Sequence, residues 1–136
     1  MHAHIAFSWQ LVAGLLGVES GQDAVIRAFL YERKEEVVKP YGVTVGEFTD
    51  RISKLRNKLG NEGLKDEGLV VRRAKGAEGR VNGNILAGDK FSLAYSRSAE
   101  EILRIVYGTG DEHVPGGFYP VGGKGDIARS FLKHTS

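Results

Sequence analysis

The 136-residue chain contains no cysteine, which removes disulfides, thiolate metal sites and cysteine nucleophiles and leaves the redox compartment open. It also lacks an excess of charge of either sign. Nineteen Lys and Arg face 17 Asp and Glu, for a formal net charge of +2, and the two signs interleave along most of the length. That balance excludes the electrostatic footprint of a nucleic-acid binder. The densest basic group, Arg72, Arg73, Lys75 and Arg80, is interrupted by Glu78 and reads as a solvated loop. No apolar run approaches the roughly 18 residues of a membrane span. The stretch from Leu11 to Val18 lies near Met1 but has no basic n-region and no small-x-small site before Glu19, so it reads as the start of a helix rather than a secretory signal. Nucleophilic catalysis lacks its signatures too: there is no Gly-x-Ser-x-Gly, and no histidine has an evident partner.

What the chain does have is a long helical period. Leu11, Leu15, Val18, Gln22, Val25, Ile26 and Phe29 fall on one face, with Glu19 at its edge. Ser20, Asp23, Arg27 and Lys34 occupy the other side and read as its solvated face. Gly14, Gly17 and Gly21 form a third strip, where each glycine costs a helix about 1 kcal/mol relative to Ala. Such a strip points to close approach by a neighbouring helix. Ser8 is a candidate N-cap and Pro40 cannot continue the helix, so it is predicted over about 9 to 38.

Thr44-Val-Gly-Glu47 and Ser98-Ala-Glu-Glu101 both have capping-box spacing and predict helices over about 45–59, ending at Gly60, and 98–107, ending at Gly108. On the first of these, Val45, Phe48, Ile52, Leu55 and Leu59 form the apolar side, and Asp50, Arg51, Lys54, Asn57 and Lys58 the solvated one. Asp126 is a candidate N-cap for a last helix over about 126–133. Between 60 and 97 glycines recur and no period persists, with a short strand at most over Leu69–Val71. The fold class expected is mainly α: one long helix, then short helices joined by long irregular Gly-rich loops.

Three constellations could carry chemistry. The Gly108–Gly117 loop follows a helix rather than a strand and contains Asp111 and Glu112, which argues against phosphate binding. Asp111-Glu112-His113 sets three metal-ligand types side by side but reads as a polar loop tip, while His2, His4 and His134 lie near the termini. Glu19 and Gln22 are different, because residues i and i+3 share a helix face. In dimetal helical bundles a Glu-x-x-His supplies two ligands from such a face. Gln is a poor ligand for iron or manganese and a good partner for a buried carboxylate. Two readings stay open: Glu19 as a metal ligand, or Glu19 and Gln22 satisfying each other or a neighbouring helix.

The residues then resemble a known family. Leu11 through Arg27, Leu30-Tyr-Glu-Arg33, Thr44 through Thr49, Arg51 through Gly60, Lys65 through Val71, Glu101 through Gly108 and Val114 through Pro120 resemble the plant desiccation-related proteins of the ferritin-like superfamily. The resemblance covers about residues 10 to 133 and leaves out residues 1–9. It implies a protein about twice this length and usually secreted, of which 1–39 is the last helix of a ferritin-like bundle and 40–136 a C-terminal extension. The signal and the bundle helices with the family's Glu and Glu-x-x-His would lie outside this chain. Only Glu19 carries over as a possible ligand, with Gln22 where a ferritin has His. The expected function is a stress-associated ferritin-like protein, truncated and without catalytic activity or cofactor of its own. The alternatives are part of an iron or manganese oxidase or catalase completed by another chain, and a truncated gene product with no function of its own. The apolar face of the long helix would then lack cover, favouring self-association or another ferritin-like chain as partner.

Overall fold

The computed structural model describes residues 2–123, 125 and 126, with side chains from residue 9 onward. Three helices dominate: α1 (His2–Glu32), α2 (Val45–Gly60) and α3 (Ala99–Tyr107). Two short strands, β1 (Val37–Val38) and β2 (Val43–Thr44), pair antiparallel with Val37 opposite Thr44 and Val38 opposite Val43. The chain is thus mainly α-helical, as its periodicities predict. The helix expected over 126–133 lies outside the described residues beyond Asp126, as does His134.

α1 starts earlier and stops earlier than expected. It already includes Ser8, so that residue is not its N-cap. It ends at Glu32 rather than near Val38, because the next residues have better uses for their carbonyls. Lys34 O accepts from Gly46 N at 2.9 Å and Glu36 O from Val45 N at 2.9 Å, satisfying amides of the first turn of α2. Val37 and Val38, β-branched and suited to extended backbone, then pair with β2. The boundary expected at 39/40 therefore falls inside a hairpin.

Both predicted caps form in part. Thr44 accepts from Glu47 N at 3.2 Å and Ser98 from Glu101 N at 3.1 Å. The two glutamates do not reach back: Glu47 pairs with Arg51 and Glu101 turns inward. Gly108 ends α3 in the left-handed region, as expected. Gly60 does not play that part for α2. Asn61 takes the left-handed position, while Gly60 stays within the helix, where a Cβ would lie 2.8 Å from Cγ of Glu101.

The irregular segment from 61 to 97 is held by side chains rather than by a ladder. Thr49, Ser53 and Asn57, spaced four apart along α2, bind the backbone of 65–69. Thr49 accepts from Leu69 N, Ser53 bridges Lys65 O and Glu67 N, and Asn57 takes both Lys65 N and O, at 3.0–3.2 Å. Asn57 was expected on a solvated face, and the unpaired backbone of 65–69 explains why it is not there. Leu69 beneath them is fully buried. The strand expected over 69–71 is reduced to one bridge between Val70 and Gly83.

α1 meets this segment through its polar side, which inverts the expected orientation. Arg27 Nε donates to Ile85 O at 2.7 Å, and its Nη2 to Asn84 O at 2.6 Å and Gly68 O at 3.2 Å. Ala24, Ala28, Tyr31 and Lys34 are half-buried beside it. Of the residues read as solvated, Arg27 and Lys34 lie on the docked side, because carbonyls without ladder partners need a donor and the guanidinium supplies one, while Ser20 and Asp23 are exposed as expected. Arg27→Ala is expected to lower unfolding free energy by about 2–3 kcal/mol, the scale of charge-assisted hydrogen bonds lost together with burial of their acceptors. Urea titration measures it, and amide exchange should quicken first over 82–88.

Candidate functional site

The face of α1 that carries Glu19 is bare. Leu11, Leu15, Val18, Val25, Ile26 and Phe29 are 50–61% exposed, and Glu19 and Gln22 are exposed among them. A Cβ added at Gly14, Gly17 or Gly21 would meet nothing within 4 Å, so the neighbour the glycine strip implies is not among the described residues. Gly17, Val18, Gly21, Gln22, Val25 and Ile26 line a shallow groove there. Ile52 and Leu55 of α2, expected to pack, are also exposed.

Nothing in the described residues converges on Glu19. It has no hydrogen bond or ion pair with Gln22 or any other described group, and no set of three His, Asp or Glu side chains is placed to hold a metal ion among the described residues. The residues present therefore do not by themselves fit a dimetal centre. The Asp111-Glu112-His113 trio does not converge as three ligands, although His113 Nε2 lies 3.8 Å from Glu112 Oε1. Asp111 Oδ1 accepts from His113 N at 2.8 Å, while Glu112 turns to Arg104 with Oε2 2.7 Å from Nε and Oε1 3.3 Å from Nη2.

That Arg104–Glu112 fork belongs to a charge constellation the sequence reading missed. Arg104 also donates to Gly60 O at 3.0 Å and Glu62 Oε1 at 3.2 Å, tying the end of α2 to α3. On the inner side, Glu101 is 1% exposed. Its Oε1 accepts from Lys65 Nζ at 2.7 Å and from Arg97, and Arg97 binds Glu67 through its other nitrogen. Arg56 lies 3.7 Å from the same Glu67. Glu101 Oε2 is buried without a partner.

The electrostatics keep Glu101 and Glu112 ionised. Burial pushes Glu101 up, but the hydrogen bond from Lys65 and the charges of Arg97 and Lys65 outweigh it, leaving the group below the usual carboxylate range. Glu112 is held at about 2, chiefly by its hydrogen bond from Arg104. A carboxylate so strongly held in its ionised form is a poor proton acceptor near neutrality, so this constellation fixes shape. The only sequence signals for it were the i,i+4 spacing of Arg97 and Glu101 and the capping-box position of Glu101, both of which read as local helix chemistry.

Comparison with known proteins bears on the bare face. The chain is 61% identical over 123 residues to a ferritin-like catalase, Nec2, of Nesocodon mauritianus, a match covering 90% of this chain and 40% of that protein. It is 56% identical over 113 residues to the desiccation-related protein PCC13-62 of Craterostigma plantagineum, covering 83% of this chain and 36% of that one. The chain thus spans 40% or less of the length of these curated relatives. No family model matches it, and no solved structure does either.

Acid should test the Arg104–Glu112 fork. A carboxyl held at about 2 against an ordinary 4.5 contributes stability that is fully present above the ordinary value and is lost as pH falls from there through about 2. Glu112→Gln is expected to remove that part of the pH dependence of thermal melting while leaving the curve above pH 6 parallel to the parent's.

Proposed function

The chain belongs to the ferritin-like superfamily and is closely related to its desiccation-related and catalase members, and on that premise we propose that α1 is a helix of a ferritin-like bundle with residues 40–136 as an extension docked on its flank. The observation that carries this reading is the division of labour around α1. Its polar flank is already occupied through Arg27, while its apolar face and glycine strip stand free. A helix whose own chain covers its polar side and leaves Leu, Val and Phe in water is built to be covered by other helices on the apolar side. The occupant proposed is a set of bundle helices from a ferritin-like chain, including a second copy of this one.

The function that follows is that of a stress-associated ferritin-like protein without catalytic activity of its own. Among the described residues of the bare face, Glu19 is the one that could bind iron or manganese, and Gln22 beside it is a neutral amide. A second reading is favoured by the likeness to the Nesocodon ferritin-like catalase: Glu19 contributes one carboxylate to a dimetal oxidase or catalase centre that another chain completes.

Light scattering after size-exclusion chromatography tests the covering of α1. Self-association is expected, and Leu15→Lys should weaken it by about tenfold, since burying an introduced charge costs at least as much as the lost apolar contact. A monomer that melts cooperatively at all concentrations would overturn the proposal. Elemental analysis separates the two readings. Substoichiometric metal, unchanged in Glu19→Ala, supports the non-catalytic one, and stoichiometric iron or manganese lost in that variant overturns it.

A further inference from the structure

We propose that a recess between the end of α1 and the 77–94 segment binds a small organic ammonium ion with an apolar body. Its volume is about 440 Å³, within the usual range of small-molecule sites. The walls are mainly apolar, with Val81, Ile85, Leu86, Ala94 and Tyr31 among the lining residues. Asp89 is the one charged residue in the lining.

That carboxylate is divided between two tasks. Oδ1 accepts from Phe91 N at 2.8 Å and Leu93 N at 3.0 Å, closing the loop. Oδ2 accepts nothing and Asp89 has no ion pair among the described residues. The neighbouring cations are used elsewhere: Arg27 is committed to three carbonyls, Lys34 Nζ lies 4.6 Å from the centre of the Tyr31 ring, and Lys90 Nζ lies 5.0 Å from the centre of the Phe91 ring. A half-buried negative charge in apolar walls is matched best by a cation that brings its own apolar surface, and a protonated amine also supplies the missing donors.

The backbone points to the same place. Ser92, in the lining, has φ +62°, and Ala87 on the same loop has φ +48°. Left-handed backbone is unusual for residues other than glycine and carries strain. Glycine would adopt the Ser92 conformation more easily, yet the chain keeps a hydroxyl there. That hydroxyl, the Tyr31 phenol and the Asn82 amide have no hydrogen-bond partner among the described residues, and all three belong to residues that line the recess. The site does not depend on how the bare face of α1 is covered.

Amide chemical-shift titration of the full chain tests the proposal with three isosteric probes: phenethylammonium, 2-phenylethanol and phenylacetate. Shifts over Gly83, Gly88, Ser92 and Leu93 are expected, with the ammonium binding most tightly and the carboxylate least. Asp89→Asn keeps an Oδ1 for both loop amides and should weaken the ammonium by about tenfold, as loss of a charge-assisted bond implies. Ser92→Gly should leave the melting temperature unchanged or raised and still weaken binding several-fold, an outcome a merely structural serine would not give. Equal binding of the alcohol and the ammonium, shifts confined to residues 11–29, no shift at millimolar probe, or unaltered affinity in Asp89→Asn would each overturn it.

Discussion

One guanidinium sets the arrangement of the whole chain. The loops from 66 to 88 have almost no ladder of their own, so their carbonyls need donors from elsewhere, and Arg27 supplies three of them from a single helix position. Asn84, buried at 6% exposure, completes the task from within the loop by donating to Asp66 O and Gly68 O and accepting from Gly88 N. Because the Arg27 fork is planar and its acceptors are fixed, the contact also sets the rotation of α1 about its axis. The free face, with Glu19 and Gln22, is where that rotation leaves it.

The second constraint is the buried acid between α2 and α3. A buried ion pair is weak evidence for stability, since desolvation offsets much of the attraction. Here its consequence is steric as well as electrostatic. Glu101 takes the space that a side chain at position 60 would fill, so the two helices close on a carboxylate rather than on an apolar contact. Lys65 and Arg97 then draw the 62–67 and 96–98 segments to the same point. Irregular backbone acquires a fixed course without strands.

Helix positions were legible in the sequence wherever capping chemistry is local. Thr44 and Ser98 mark the starts of α2 and α3 and Gly108 marks an end, because the partners lie within four residues. The end of α1 was not legible, since it depends on amides of α2 more than ten residues away competing for the carbonyls of Lys34 and Glu36. The side of α1 that docks was misread for a related reason. Periodicity reports which face is apolar, whereas the packing partner within this chain is exposed backbone, which selects Arg27. Asn57, Glu101 and Glu112 were hidden in a similar way, read as solvated helix face, capping box and loop tip, because their partners Lys65 and Arg104 lie outside those local motifs. Glu19 lies on the exposed side of α1, and no set of three ligand-type side chains gathers there among the described residues.

The placement of Arg27 opposite Val18 and Phe29 gives α1 two separate sides, one docked and one open among the described residues. A helix with its side chains is about 10 Å across, and residues separated by that distance without shared partners contribute to free energy nearly independently. Sequence drift in the glycine-rich loops and drift on the free face can therefore proceed without compensating one another. A lineage can remodel what lies on one side of this helix while the chemistry on the other side stays untouched.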